Sequence, residues 1–409
     1  MATHVSDVGL AQNAAKVTNT FASNLFRVLT EGGSSNYNIF FSPMSISTAL
    51  AMTFMGARGE TASQMSQVLH FNILEESVLH QSFADLSAQS YYADAPFTLI
   101  ATNRLFGQKG LDVLATFVDD SKKHYGASME TLDFIGDGAG SRQHINSWVE
   151  KQTANRIKDL IAAGSIDDLT CLVLVNAIYF KGAWGTKFKV SNTFSEKFHI
   201  SVTEDINVPM MHQTDKFNFA RDDSVSSSIL ELPYFTDCLP NFKDRVPKIW
   251  KQVSMFIVLP DQVDGLADVQ KKLSQEKIDS WVTEAHMRER STVIVSLPKF
   301  TLEQDFVLND VLRKMGMNDP FDADKADFSG MTGDKDVFIS KVIHKAFLDV
   351  NEEGSEAAAI TTFKMNWYCL DRPSKNPPEF KADHPFLVFI YDIKSKAVLF
   401  MGQLCKPKQ

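Results

Sequence analysis

The stretch CLVLVNAIYF, residues 171–180, sets the strongest limit on what this chain can fold into. It is apolar almost throughout and rich in β-branched residues, so it suits a strand covered on both faces. Ahead of it the chain reads mainly as helix. Val17, Phe21, Leu25 and Val28 recur at helical spacing before Gly32 and Gly33. In FSPMSISTALAMTFMGARG, Ser42 is placed to cap a helix, Pro43 to open it and Gly56 to end it. Ile46, Leu50 and Phe54 form its buried stripe. ETASQMSQVLHF predicts a short helix capped by Thr61, while Phe97, Leu99 and Ala101 alternate as a strand and HINSWVEKQTANRIKDL returns to helix. Beyond residue 180, SSILELPY, VSMFIVLP, STVIVSLPKF, VFISKVIHKAFLDV, HPFLVFIYDI and AVLFMGQ read as strands. Helices are expected in LADVQKKLSQEKIDSWV and in VLNDVLRKMG, the latter ending at Gly316. Helices first and strands later point to a single α+β domain over residues 1–409.

The 409 residues, 44 % of them hydrophobic, can bury a core without a disulfide or metal staple. A net charge of −9 argues against a nucleic-acid or anionic-membrane surface, and no apolar run approaches the roughly 20 residues of a membrane-crossing helix. The N-terminal MATHVSDVGLAQNAAKVTNTFASNLFRVL has no basic lead, continuous apolar centre or small-residue cleavage site, and the chain contains no Asn-x-Ser/Thr sequon. A cytoplasmic protein is expected, with export lacking a conventional signal peptide as the other route. Cys171, Cys238, Cys369 and Cys405 are far apart and form no CxxC pair, which reads as free thiols in a reducing compartment.

The usual signatures of catalysis are missing. GxSxG, HExxH, Walker and GxGxxG patterns do not occur. FDADKADFSG carries acids at 322, 324 and 327 but misses the register of a calcium loop, and Gly333 stands where the closing Glu belongs. The ten histidines are scattered singly. No catalytic residue, metal site or cofactor is expected.

One segment fits neither core nor ordinary loop: NEEGSEAAAITTFKMNWYCLDRPSKNPPEF, residues 351–380, between two strand-like stretches. With NIFFSPMSISTALAMTFMGARGETASQM, LVLVNAIYFKGAW, VPMMHQ, VIHKAFLDVNEEGSEAAA and ADHPFLVFI in the same order, the chain resembles a serpin of the ovalbumin-like, intracellular branch over nearly its whole length. The resemblance implies three β-sheets, eight or nine helices and an exposed reactive-centre loop over about 352–380. It implies a suicide inhibitor: a serine protease cuts the loop and forms an acyl-enzyme, and the freed loop enters the main sheet as a new strand. Glu352, Glu353, Gly354, Ser355, Glu356, Ala357, Ala358 and Ala359 then form the hinge. Ser355, Ala357, Ala359 and Thr361 would point to one face, and all are small, as a strand slipping beneath packed elements requires. Ser42, Pro43, Ser45, Asn176 and His344 are assigned to a polar shutter beneath the point where the sheet parts, and Trp184 to the breach at its top.

In such inhibitors the bond is cut after the seventeenth residue counted from the first hinge glutamate, which here gives Tyr368–Cys369. Counting back from the prolines lands near Ser374 instead, so Arg372, Pro373, Ser374 and Lys375 stay open as alternatives. Tyr368 implies a chymotrypsin-like target; Arg372 would imply a trypsin-like one. TDCLPNFKDRVPKIWKQ, residues 236–252, adds Lys243, Arg245, Lys248 and Lys251, either an exosite or polyanion contact or a solvated hairpin. A covalent protease complex, a monomeric state and no nucleic-acid or membrane partner are expected. A non-inhibitory carrier, storage or chaperone-like serpin is the competing function.

Overall fold

The computed structural model describes residues 7–31, 37–90, 97–127, 129–234, 253–286, 290–355 and 376–408. The first half carries α1 (Asp7–Thr30), β1 (Ile39–Phe41), α2 (Pro43–Phe54), α3 (Gly59–Val68), α4 (Glu76–Ser90), β2 (Phe97–Gln108), α5 (Ala115–Tyr125), β3 (Met129–Leu132), α6 (Gly138–Gln152) and β4 (Leu172–Ala183). Then come β5 (Thr193–His199), β6 (Asp205–Asp222), β7 (Ser227–Pro233), β8 (Val253–Pro260), α7 (Leu266–Lys272), α8 (Gln275–His286), β9 (Ser291–Pro298) and β10 (Phe300–Val307). The chain closes with α9 (Asn309–Lys314), α10 (Ser329–Thr332), β11 (Ile339–Asn351), β12 (Gly354–Ser355), β13 (Glu379–Lys381), β14 (Phe386–Asp392) and β15 (Ala397–Leu404).

The apolar run becomes β4 and is buried along almost its whole length. It lies inside a six-stranded sheet ordered β10-β11-β12-β4-β2-β3. β14, β8 and β7 form the centre of a second sheet, which β15 and β1 extend. The 18-residue β6 serves two sheets: its first part pairs with β5 and β9, and Asn218–Asp222 pair with β7. The three expected sheets are therefore present, two of them sharing β6. Among the described residues there are ten α-helical segments, several only one or two turns long.

Local chemistry explains most boundaries. Ser42 caps α2, its Oγ accepting from Ser45 N, with Pro43 at the first helical position. Gly316, at φ +112°, follows α9 in the left-handed conformation expected of a helix-ending glycine. Thr61 is not the cap of α3: it lies within that helix, and its Oγ1 instead accepts from Asp327 N at 2.9 Å. The expected helix 266–282 is two helices, because Leu273 is extended between them. α6 starts and ends earlier than its pattern, capped by Asp137 and followed by Ala154 and Asn155 at positive φ.

Candidate functional site

The site is a slot in the six-stranded sheet. β4 and β11 run parallel and are paired directly from Ile339↔Leu172 to Phe347↔Tyr179. Above that point they part, and the two residues of β12 lie between them. Ser355 pairs with Val350 of β11 and with Gly182 of β4; Gly354 pairs with Asn351 and Ala183. β12 is antiparallel to both neighbours, the direction a chain doubling back from β11 must take.

Glycine is required at 354. Its φ is +140°, a value side chains rarely adopt, and an added Cβ would overlap the Gly182 carbonyl oxygen. Ser355 is fully buried, and its Oγ lies 2.8 Å from Tyr234 Oη. Burial pushes the Tyr234 hydroxyl well above its ordinary pKa, so it stays a neutral hydrogen-bonding group. Tyr234 stacks on Trp184 with ring centroids 4.8 Å apart. Trp184 holds the turn into the slot twice: Nε1 donates to the Asn351 carbonyl and the backbone N–H to the Glu353 carbonyl, each at 2.9 Å.

The two glutamates are tied down. Glu352 meets Lys299 Nζ at 2.9 Å and accepts from Thr193 Oγ1 at 2.9 Å, while Glu353 pairs with Lys187. Burial alone would raise the Glu352 pKa, but Lys299 and the donated hydrogen bonds outweigh it and keep the carboxyl below its usual value.

Lower in the sheet lies the polar group. His344 and Asn176 are register partners across the β4–β11 seam. His344 Nδ1 bonds Asn176 Oδ1, and its Nε2 accepts from Ser42 N at 3.1 Å. One ring nitrogen donates and the other accepts, so the imidazole is neutral. Burial lowers its pKa from 6.5 to about 3, which agrees. Asn176 Nδ2 reaches Ser45 Oγ and Asn103 Oδ1, and Ser42 Oγ donates to the Leu399 carbonyl at 2.6 Å. Pro43 contributes by starting α2 beneath the seam. These bonds link β2, β4, β11, α2 and β15, so a polar patch spans one face of the β4–β11 seam.

Ser42, Pro43, Ser45, Asn176 and His344 thus come together, as do Glu352, Glu353, Gly354, Ser355 and Trp184. Asn103, Tyr234, Lys187 and Lys299 were not singled out in the sequence. Asn103, a polar residue in a mostly apolar strand, carried a signal; the other three did not. The loop was expected outside the sheet over about 352–380, yet Gly354 and Ser355 already belong to the six-stranded sheet, and Glu379 and Phe380 pair with β9. Glu356, Ala357, Ala358, Ala359, Tyr368, Cys369, Arg372, Pro373, Ser374 and Lys375 lie outside the described residues, as do Lys243, Arg245, Lys248 and Lys251.

The fold and the site thus define a class of protein in which a parallel strand pair, β4 and β11, opens at one end around Gly354 and Ser355. The description "Serpin (serine protease inhibitor)" matches residues 16–407, and the chain belongs to that family. It is 43 % identical over 394 residues to Serpin B6 of Macaca fascicularis, covering 96 % of this chain and 99 % of the relative. It is 40 % identical over 391 residues to human leukocyte elastase inhibitor, covering 95 % and 97 %. Among solved structures, uncleaved ovalbumin superposes with a TM-score of 0.82 at 30 % identity, covering 96 % of this chain and 99 % of that one. Maspin does so with 0.84 at 30 %, covering 98 % and 100 %.

Proposed function

We propose that this protein inhibits serine proteases by a suicide mechanism in which the cut loop completes the six-stranded sheet. The observation that carries the proposal is the lodging of Gly354 and Ser355 between β4 and β11, above a seam that is still closed. The family and the relatives named as inhibitors support a protease as the partner. The protease serine attacks the carbonyl of the residue before the bond. The peptide C–N bond breaks, its nitrogen taking up the serine proton and leaving as a new N-terminus, and the protease is held as an acyl-enzyme. The released strand then extends β12 down the seam. Ser355 already faces the interior at Tyr234, so Ala357, Ala359 and Thr361 would follow on the same face, where small side chains are tolerated.

Tyr368–Cys369 is the bond in this reading, because the length from Glu352 to Tyr368 has to span the sheet before it can strain the protease. Tyrosine there fits a chymotrypsin-like S1 slot. Cytoplasmic residence agrees with the kinship to Serpin B6 and leukocyte elastase inhibitor. The test is incubation with chymotrypsin, followed by a denaturing gel and mass spectrometry of the released C-terminal peptide. An SDS-stable adduct and a new N-terminus at Cys369 are expected. Cleavage with undiminished protease activity would favour the carrier or storage reading, and a new N-terminus at Pro373 would move the bond to Arg372.

A further inference from the structure

A second apolar cluster covers the seam. Val175 of β4 and Ile343 of β11 are register partners across it, and both pack under Ile145 and Val149 of α6 and Ile161 of the following segment. One cover therefore seals both lips of the slot. Admitting a strand would widen the spacing of β4 and β11 from about 4.8 Å to about 9.6 Å. The cover has to yield before the strand can pass.

α6 is fastened over this seam by a polar clip. Arg104 on β2 pairs through Nη1 with Glu130 Oε2 on β3 at 2.6 Å. Its guanidinium lies 5.0 Å from the Trp148 ring of α6 and 5.7 Å from the Phe106 ring beneath. Glu130 also takes His144 Nε2 of α6 at 2.7 Å. On the β11 side the polar tie is slighter, a 3.5 Å contact from Lys345 Nζ to the Lys158 carbonyl. The position calls for arginine: a flat cation can stack on two rings while its edge meets a carboxylate, and an ammonium cannot.

We propose that Arg104 is a positioning residue for loop insertion, a cationic clip that holds α6 down over the seam and sets how fast the slot admits a strand. This rests on the loop-insertion reading above. The direct test is annealing of a synthetic peptide carrying residues 355–367, SEAAAITTFKMNW, to the full-length protein. Uptake is followed by native gel for wild type, Arg104→Met and Arg104→Lys, with urea midpoints measured in parallel. Removing the stacking and the ion pair should speed uptake about tenfold, with Arg104→Lys between the two. A merely structural role would lower the urea midpoint and leave the uptake rate at the wild-type value, and that result overturns the proposal, as does slower uptake. If Arg104→Met does not fold, Trp148→Leu removes the stacking from the α6 side and carries the same comparison. Failure of wild type to take up the peptide at all would instead overturn loop insertion itself, and this proposal with it.

Discussion

Replacing Ser355 by arginine tests the slot most sharply. Ser355 is fully buried, its hydroxyl 2.8 Å from Tyr234 Oη, and Tyr234 is enclosed by the rings of Phe180 and Trp184. An arginine there forfeits that hydrogen bond, about 1 kcal/mol. It also brings a cation into an aromatic site with one neutral hydroxyl to meet it, which costs several kcal/mol after relaxation. A total of about 4–5 kcal/mol slows strand entry by roughly three orders of magnitude, since each 1.4 kcal/mol is tenfold. Deacylation by water then outruns insertion. The uncut protein escapes most of the cost, because β12 is only two residues long and can leave the slot with the arginine in solvent. Chymotrypsin incubated with Ser355→Arg should therefore give cleaved serpin and active protease, with the melting point of the uncut variant little changed. Ser355→Ala, which loses only the hydrogen bond, should keep most of the adduct. Wild-type adduct yield from Ser355→Arg would refute the slot.

Two further outcomes follow from the polar patch. His344 has a folded pKa of about 3 against 6.5 for the free side chain, so the unfolded chain binds a proton that the fold refuses as pH falls below 6.5. Its contribution to stability is complete above pH 6.5 and is lost progressively down to about pH 3; between pH 6 and pH 5 wild type should lose about 1 kcal/mol more than His344→Gln in urea titrations. An identical pH slope for the two proteins would contradict the neutral, buried imidazole. Asn103→Ala removes the acceptor for Asn176 Nδ2 inside the sheet and should destabilise the uncut protein by about 1–3 kcal/mol, read as a lower urea midpoint. An unchanged midpoint would show that the Asn103–Asn176 bond carries nothing.

The parts of this molecule that were legible in the sequence are those with local causes. Ser42, Pro43 and the stripe through Ile46, Leu50 and Phe54 fix α2 within one short segment, and the unbroken apolar run fixes β4 as a doubly covered strand. The residues assigned to a hinge and a shutter were reached through resemblance; the structure brings Ser42, Pro43, Ser45, Asn176 and His344 together, and Glu352, Glu353, Gly354 and Ser355 beside Trp184. What stayed hidden depends on partners far along the chain. Tyr234 acquires its meaning from Ser355 and Arg104 from Trp148, neither of which any local pattern announces. β6 escaped notice because its burial alternates irregularly as it passes from one sheet to another. Thr61 looked like a cap because of its place before an apolar pattern, but Asp327, from a distant turn, claims its hydroxyl.

The most direct measurement is thermal unfolding before and after a single cut within residues 356–375, with the cut verified by mass spectrometry. A loop that enters between β4 and β11 replaces their direct pairing by a strand bonded to both, where now only Gly354 and Ser355 stand between them. The cut protein should then melt at least about 10 °C higher than the intact one. Equal melting temperatures would mean that the slot stays closed below Ser355, and the proposed mechanism would fall.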